Sequence, residues 1–293
     1  MPDPLCERIP VRYALEGPVA AYLHGVTAQW LLIAPEANPG MLEILRDRNR
    51  LPRRDLVPWA GEFAGKYLTG AVQVLRLTGD PALRDYLVDF VRALCALQAE
   101  NGYLGPWPDG WELRGQAPNP QELHGTWDTW GHYHLMLGLL LWHADTGDAA
   151  ALHAARRIGD LLCDTFLGEA PRRMVDTGST EMNLAPAHSL CLLSRATGEA
   201  RYLALARQVA DVEFAATDAE GHPLAGNYLQ GPLAGQRFFE LPKPRWESLH
   251  PSMALAELYY LTGEAPYRAA STRIWHTIAA YDRHNTGGFS SGE

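Results

Sequence analysis

A three-residue phrase recurs four times along the chain: Thr78-Gly79-Asp80, Thr146-Gly147-Asp148, Thr197-Gly198-Glu199 and Thr262-Gly263-Glu264. The copies lie 68, 51 and 65 residues apart, each between two apolar helical stretches. After the first come Leu83, Tyr86, Leu87, Phe90, Val91 and Leu94, the spacing of one helix face. Glycine behind a helix reaches the left-handed conformation at no steric cost and so ends it. An adjacent carboxylate favours the positive end of the next helix, and Pro81 and Pro266 suit a first helical turn. Each phrase therefore predicts the bend of a helical hairpin. The hairpins run over about 62–99, 127–167, 181–215 and 248–283, and helical text near 17–33 and 41–48 offers a fifth, less regular pair.

Few runs alternate with the period of a strand. Hairpins repeated at this interval build either an open solenoid or a closed ring. The linkers at 100–126, 168–180, 216–247 and 284–293 are long and rich in Trp, Gly, Pro, His and charge, which favours a ring with a site at one end. The expected fold is all-α: an (α/α)6 toroid, incomplete at about five of six hairpins. It forms one domain over 1–293, truncated after Ser291-Gly292-Glu293. An apolar share of 47% excludes disorder. A formal charge of −9 without a basic run argues against nucleic acid and anionic membranes as partners. No apolar run approaches the roughly 20 residues that span a bilayer. The four cysteines, Cys6, Cys95, Cys163 and Cys191, are far apart, as expected of reduced thiols in a cytoplasmic protein. Homo-oligomerisation is left open.

Trp59, Trp107, Trp111, Trp127, Trp130 and Trp246 lie in or beside the linkers. A flat indole with an N–H handle stacks on sugar C–H faces, and equally packs loops onto a scaffold. Histidines and carboxylates gather in the same places: Glu62, His124, Asp128, His132, His134, Asp176, Glu181, Glu247, His250, His284 and Glu293. Cleaving a glycosidic bond requires a proton donor at the leaving oxygen and a nucleophile or base opposite. Glu62 and Glu181 open two helices and Glu247 precedes a third, positions that also suit carboxylates supporting a helix dipole. His132 and His134, two apart, point to different helix faces and form no i, i+4 metal pair. His143, His153, His222 and His276 have no such context and read as structural. Phosphate-loop, dinucleotide and nucleophile-elbow signatures are absent, as is His-Glu-x-x-His.

The segment from Trp59 through Glu62, Lys66 and Leu68, then Thr-Gly-Asp-Pro at 78–81, Gln98 and Asn101-Gly102-Tyr103-Leu104-Gly105, resembles the β-L-arabinofuranosidases of glycoside hydrolase family 127. Trp127-Asp128-Thr129-Trp130-Gly131-His132-Tyr133-His134 is similar to that family's next hairpin, and Thr286-Gly287-Gly288 through Glu293 to its TGG…GE loop. The resemblance implies an (α/α)6 catalytic barrel that removes terminal furanosides from plant-type glycans with retention. It implies Glu293 as general acid/base. For sugar binding it implies pocket-lining histidines, with His132, His134 and His250 the nearest matches; Glu62, Lys66, Trp127, Asp128, Glu181 and Glu247 are the further candidates expected beside them at the cleft. At a further sugar-binding histidine of the family this sequence carries Asn183, which leaves the sugar open. It also implies zinc in the intact enzyme, binding a nucleophilic cysteine through a Glu-x-Cys motif and a later cysteine pair. Zinc deprotonates a thiol, which accounts for such a nucleophile. None of the four cysteines matches that pattern, so no metal ligand is assigned here.

Two other readings stay open: another (α/α)6 sugar enzyme, either an unsaturated uronyl hydrolase using Asp128 or Asp176 or an epimerase pairing His132 or His134 with His250, and a non-catalytic sugar-binding relative. On the leading reading the 293-residue chain is inactive alone. Zinc-dependent glycosidase turnover by the purified chain would overturn that expectation.

Overall fold

The computed structural model describes residues 14–118 and 125–289. Thirteen α-helices appear among them: α1 (Gly17–Val26), α2 (Ala34–Ala37), α3 (Glu43–Arg46), α4 (Phe63–Thr78), α5 (Pro81–Cys95), α6 (Asp128–Thr146), α7 (Ala149–Phe166), α8 (Thr180–Asn183), α9 (Pro186–Thr197), α10 (Ala200–Asp211), α11 (Gln230–Leu233), α12 (Leu249–Thr262) and α13 (Ala265–Thr277). Extended pairing among the described residues is limited to two isolated bridges, Thr217 with Pro223 and Arg283 with Phe289. The class is all-α, as expected.

The four repeated phrases are the bends of α4/α5, α6/α7, α9/α10 and α12/α13. Gly79, Gly147, Gly198 and Gly263 all take positive φ, between 63° and 76°. The threonine has a part that the helical pattern does not reveal. Each hydroxyl donates to the carbonyl four residues back, as Thr146 does to Trp142 at 2.7 Å, and accepts the N–H of the following acid, as from Asp148 at 3.2 Å. Thr78, Thr197 and Thr262 repeat both bonds. The acids divide by length. Asp80 caps Leu83 N–H, and Asp148 caps those of Ala150 and Ala151. Glu199 and Glu264 make no side-chain cap; the extra methylene lets Glu264 pair with Arg207 instead.

The two limbs of a hairpin bury differently. α5 turns one stripe inward through Leu83, Leu87, Phe90, Val91 and Leu94. α6 is buried at Trp130, Tyr133, Leu135, Met136, Leu139 and Trp142, nearly all the way round. α9 is likewise buried on most sides and packs on both α10 and α12.

The N-terminal segment departs from expectation. Residues 17–31 are helical, with α1 running into a π-helical turn at Thr27–Leu31, but the second limb shrinks to the single turn of α3. Pro35 opens the short α2, and Asn38-Pro39-Gly40 ends it just before that second limb. No residue of α1 is buried.

The chain divides into two compact units. One comprises the described residues of Pro4–Glu112 and Gly131–Leu161, the other those of Leu113–Trp130 and Leu162–Glu293. In the first unit, α4 and α6 meet backbone to backbone. A Cβ on Gly65 would lie 2.3 Å from the His134 carbonyl carbon and 2.4 Å from Leu135 N. Gly61 and Gly131 face each other, and Gly138 abuts Leu68. Backbone cannot yield as a side-chain tip can. Gly65→Ala is therefore expected to cost about 3 kcal/mol. Gly147→Ala, where a Cβ meets open space and only φ is strained, is expected to cost about 1 kcal/mol. Urea unfolding of the two variants measures both.

Candidate functional site

In the first unit, Glu62 ends a 3₁₀ turn at Ala60–Glu62 and leads directly into α4. Its carboxylate pairs with Lys66 Nζ one helical turn on, at 2.8 Å. Glu62 is buried while Lys66 is half-exposed, so the ammonium offsets the carboxylate's lost hydration and still reaches solvent. His134 lies on α6 against Gly65 of the same helical turn as Lys66, with its ring 4.8 Å from Tyr133. His132, two residues away, has no exposed surface. Its Nε2 accepts the Leu104 N–H at 3.1 Å, and its ring rests on Tyr103. This histidine anchors the Asn101–Gly105 loop to α6 instead of offering itself to a ligand. Trp59 remains open to solvent, whereas Trp107 is buried.

The second unit gathers more. Asp128 opens α6, but its carboxylate accepts the Leu113 N–H at 2.8 Å in a buried position. Asn183, which stands at an expected sugar-binding position, is fully buried. Its amide donates to the Thr126 and Gly178 carbonyls at 3.0 and 2.9 Å, its side-chain oxygen faces Trp130 N–H, and its own carbonyl accepts from Thr129. Asn183 is a clasp that fixes residues 126–130 against the start of α8. Asp176, the other aspartate considered for chemistry, is tied to the Arg173 guanidinium and backbone in an exposed turn.

Glu181, Lys243, Arg245 and Glu247 form a linked charge network. Lys243 Nζ lies 3.0 Å from Glu181, and Arg245 reaches Glu181 at 3.6 Å and Glu247 at 3.3 Å. Both glutamates are buried, and these cations are their ion-pair partners. The second oxygen of Glu247, Oε2, is buried with no hydrogen-bond partner among the described residues. The loop carrying the network is pinned from beneath. Tyr228 donates to Ser248 Oγ at 2.8 Å, and Ser248 donates to the Lys243 carbonyl at 2.6 Å. Burial raises the Tyr228 hydroxyl far above its ordinary value, so it stays a donor.

His250 follows on α12 between two indoles. Its ring stands edge-on to Trp130 at 4.8 Å and to Trp246 at 5.6 Å. Trp130 is sealed in the core while Trp246 is 40% exposed, so only the outer indole offers a face. Trp127 is half-buried. His188 on α9 is fully enclosed; burial first, then the nearby His250 and Arg195, pushes its imidazole down to about 3. His188 is therefore neutral at working pH.

The sequence reading missed Lys243, Arg245, Tyr228 and His188. The Lys243-Pro244-Arg245-Trp246-Glu247 run does alternate cations with the candidate residues, and was legible as part of the cluster. His124 and Glu293 lie outside the described residues. The described thiols do not match the implied zinc, and Cys6 lies outside the described residues. Cys95, Cys163 and Cys191 belong to α5, α7 and α9. Burial raises Cys95 to about 11 and Cys191 higher still, the reverse of what a thiolate ligand needs. The donors that do converge among the described residues, Asp218, Glu220 and His222, form a surface turn held by its own hydrogen bonds. No candidate membrane-spanning helix occurs among the described residues.

Residues 25–293 match the family described as β-L-arabinofuranosidase, GH127 catalytic domain. A solved GH127 β-arabinofuranosidase superposes with a TM-score of 0.62 at 19% identity, over 88% of this chain and 40% of the other. A GH127 β-L-arabinofuranosidase from Geobacillus stearothermophilus T6 gives 0.65 at 18% identity, over 95% and 47%. These likenesses identify the fold, the (α/α)6 hairpin type in incomplete form, and the chain spans less than half the length of either relative. No curated protein sequence matches.

His188 makes stability depend on pH. Its folded value lies below the unfolded 6.5, so the unfolded state takes the proton first as pH falls. Stability is therefore lost on going from pH 6.5 down to about 3, by at most on the order of 5 kcal/mol. Urea titrations at pH 7, 5 and 4 should show this loss diminished in His188→Leu.

Proposed function

This chain belongs to the GH127 β-L-arabinofuranosidase catalytic-domain family of glycoside hydrolases, and from that premise we propose that it forms the helical sugar-binding part of a retaining glycosidase removing terminal β-L-arabinofuranose from glycans. The family match over 25–293 carries the reading. The geometry supports it through the cluster of the second unit. Trp246 offers an open indole face suited to sugar C–H groups. His250 stands beside it as a hydrogen-bond partner for a hydroxyl, its ring orientation fixed by Trp130. The free oxygen of Glu247 is an acceptor already desolvated and oriented by Arg245, and a hydroxyl donating to it satisfies a buried group otherwise left unpaired. Lys243 and Arg245 hold the carboxylates in place.

The general acid/base is assigned to Glu293 on the family resemblance. Zinc belongs to the proposal on the family resemblance, with ligands other than the cysteines described above. A cytoplasmic location belongs to the same proposal. The uronyl-hydrolase reading loses ground, because Asp128 is committed to Leu113 and Asp176 to Arg173.

Binding separates this proposal from catalysis. Titrating L-arabinose into the chain is expected to give saturable quenching of tryptophan fluorescence. His250→Ala and Glu247→Gln should each weaken it about tenfold. Absence of saturable binding, or binding by either variant as tight as that of the unaltered chain, contradicts the proposal.

A further inference from the structure

We propose that the groove between α11 and the outer face of α13 is a second binding site, for an acidic oligosaccharide bearing carboxylates. The groove encloses about 830 Å³, within the size range of small-ligand sites. Its floor is made of small side chains, Ala265, Ala269 and Thr272, spaced along one face of α13. Its walls carry Arg237, Arg268, Arg273 and His276, with no carboxylate among the lining residues. In a chain with 34 acidic against 25 basic residues, that lining runs opposite to the whole.

The three guanidiniums are held in place before any ligand arrives. Arg237 stacks over Phe239 at 4.6 Å and Tyr281 at 5.3 Å while pairing with Glu240. Arg268 lies over the Tyr259 ring at 5.4 Å and donates to its hydroxyl. Arg273 donates to the Gly235 carbonyl. Among the described residues neither Arg268 nor Arg273 has an ion-pair partner, so each keeps charge and N–H groups to spend. A guanidinium fork matches a carboxylate in two parallel hydrogen bonds. The local field is already visible at Glu240, held down to about 2 by hydrogen bonds from Arg237, with the charge of Arg273 adding to them.

Aromatic surface selects a sugar over a bare anion. Tyr281 lines the groove and is 62% exposed. Its ring face suits pyranose C–H groups, for which an inorganic phosphate has no counterpart. The choice of a glycan as ligand rests on the proposed function, whereas the anion chemistry does not.

The test is calorimetric titration of the full chain with oligogalacturonate, its methyl ester and inorganic pyrophosphate. Oligogalacturonate is expected to bind saturably, more weakly as salt rises, and the uncharged ester is expected not to bind. Arg268→Gln combined with Arg273→Gln should weaken binding about tenfold or more, and Tyr281→Ala should weaken it with every arginine intact. Circular dichroism establishes that the variants are folded. No binding of oligogalacturonate, equal binding by the arginine variants, or pyrophosphate binding as tightly would each overturn the proposal. The arginine variants should leave L-arabinose quenching unchanged. Loss of arabinose binding alone therefore counts against the proposed glycosidase, and loss of oligogalacturonate binding alone counts against the groove.

Discussion

Between α4 and α6 the separation is set by hydrogen atoms. Gly65 against the backbone of His134 leaves no room for a methyl group, and at Gly131 against Gly61 and Gly138 against Leu68 one would fit only if its neighbours gave way. Closeness of this kind fixes two helices in translation as well as rotation, because packed backbone has no rotamers to exchange. Glu62, Lys66, His132 and His134 all project from this pair or its first turn. Their placement is thus inherited from glycines that carry no chemistry themselves.

The second unit reaches similar rigidity by hydrogen bonding. Asn183 spends its amide on two stretches of backbone, and the Tyr228–Ser248–Lys243 relay pins the loop beneath Glu247. Groups fixed in this way pay their ordering cost on folding instead of on binding. The remaining freedom is concentrated at the surface, where Trp246 stands open beside the oriented ring of His250.

The bends were legible because their chemistry is local. A glycine with positive φ, a proline in the first turn and a carboxylate at a helix start act within a few residues of one another. The same locality explains why the fifth pair is short: Pro39-Gly40 breaks the chain just before its second limb, and the apolar pattern there extends no further than the one turn of α3. The site was less readable. Asp128, His132 and Asn183 are polar residues in a plausible motif, yet each is committed to backbone 15, 28 or more than 50 residues away. Only tertiary structure separates an anchor from a ligand-facing group. His188 was invisible for the opposite reason, since a lone histidine in an apolar helix announces neither its burial nor its neighbour.

The bends themselves carry a further consequence. At Gly79, Gly147, Gly198 and Gly263 an added Cβ would meet nothing within 4 Å, although the threonine bonds on either side hold each hairpin together. The fold is thus tight along its helices and vacant at its corners. A spectroscopic label or a short affinity tag spliced into one of these corners would ride on the scaffold as a passenger, reporting on it without leaning on the residues that hold it.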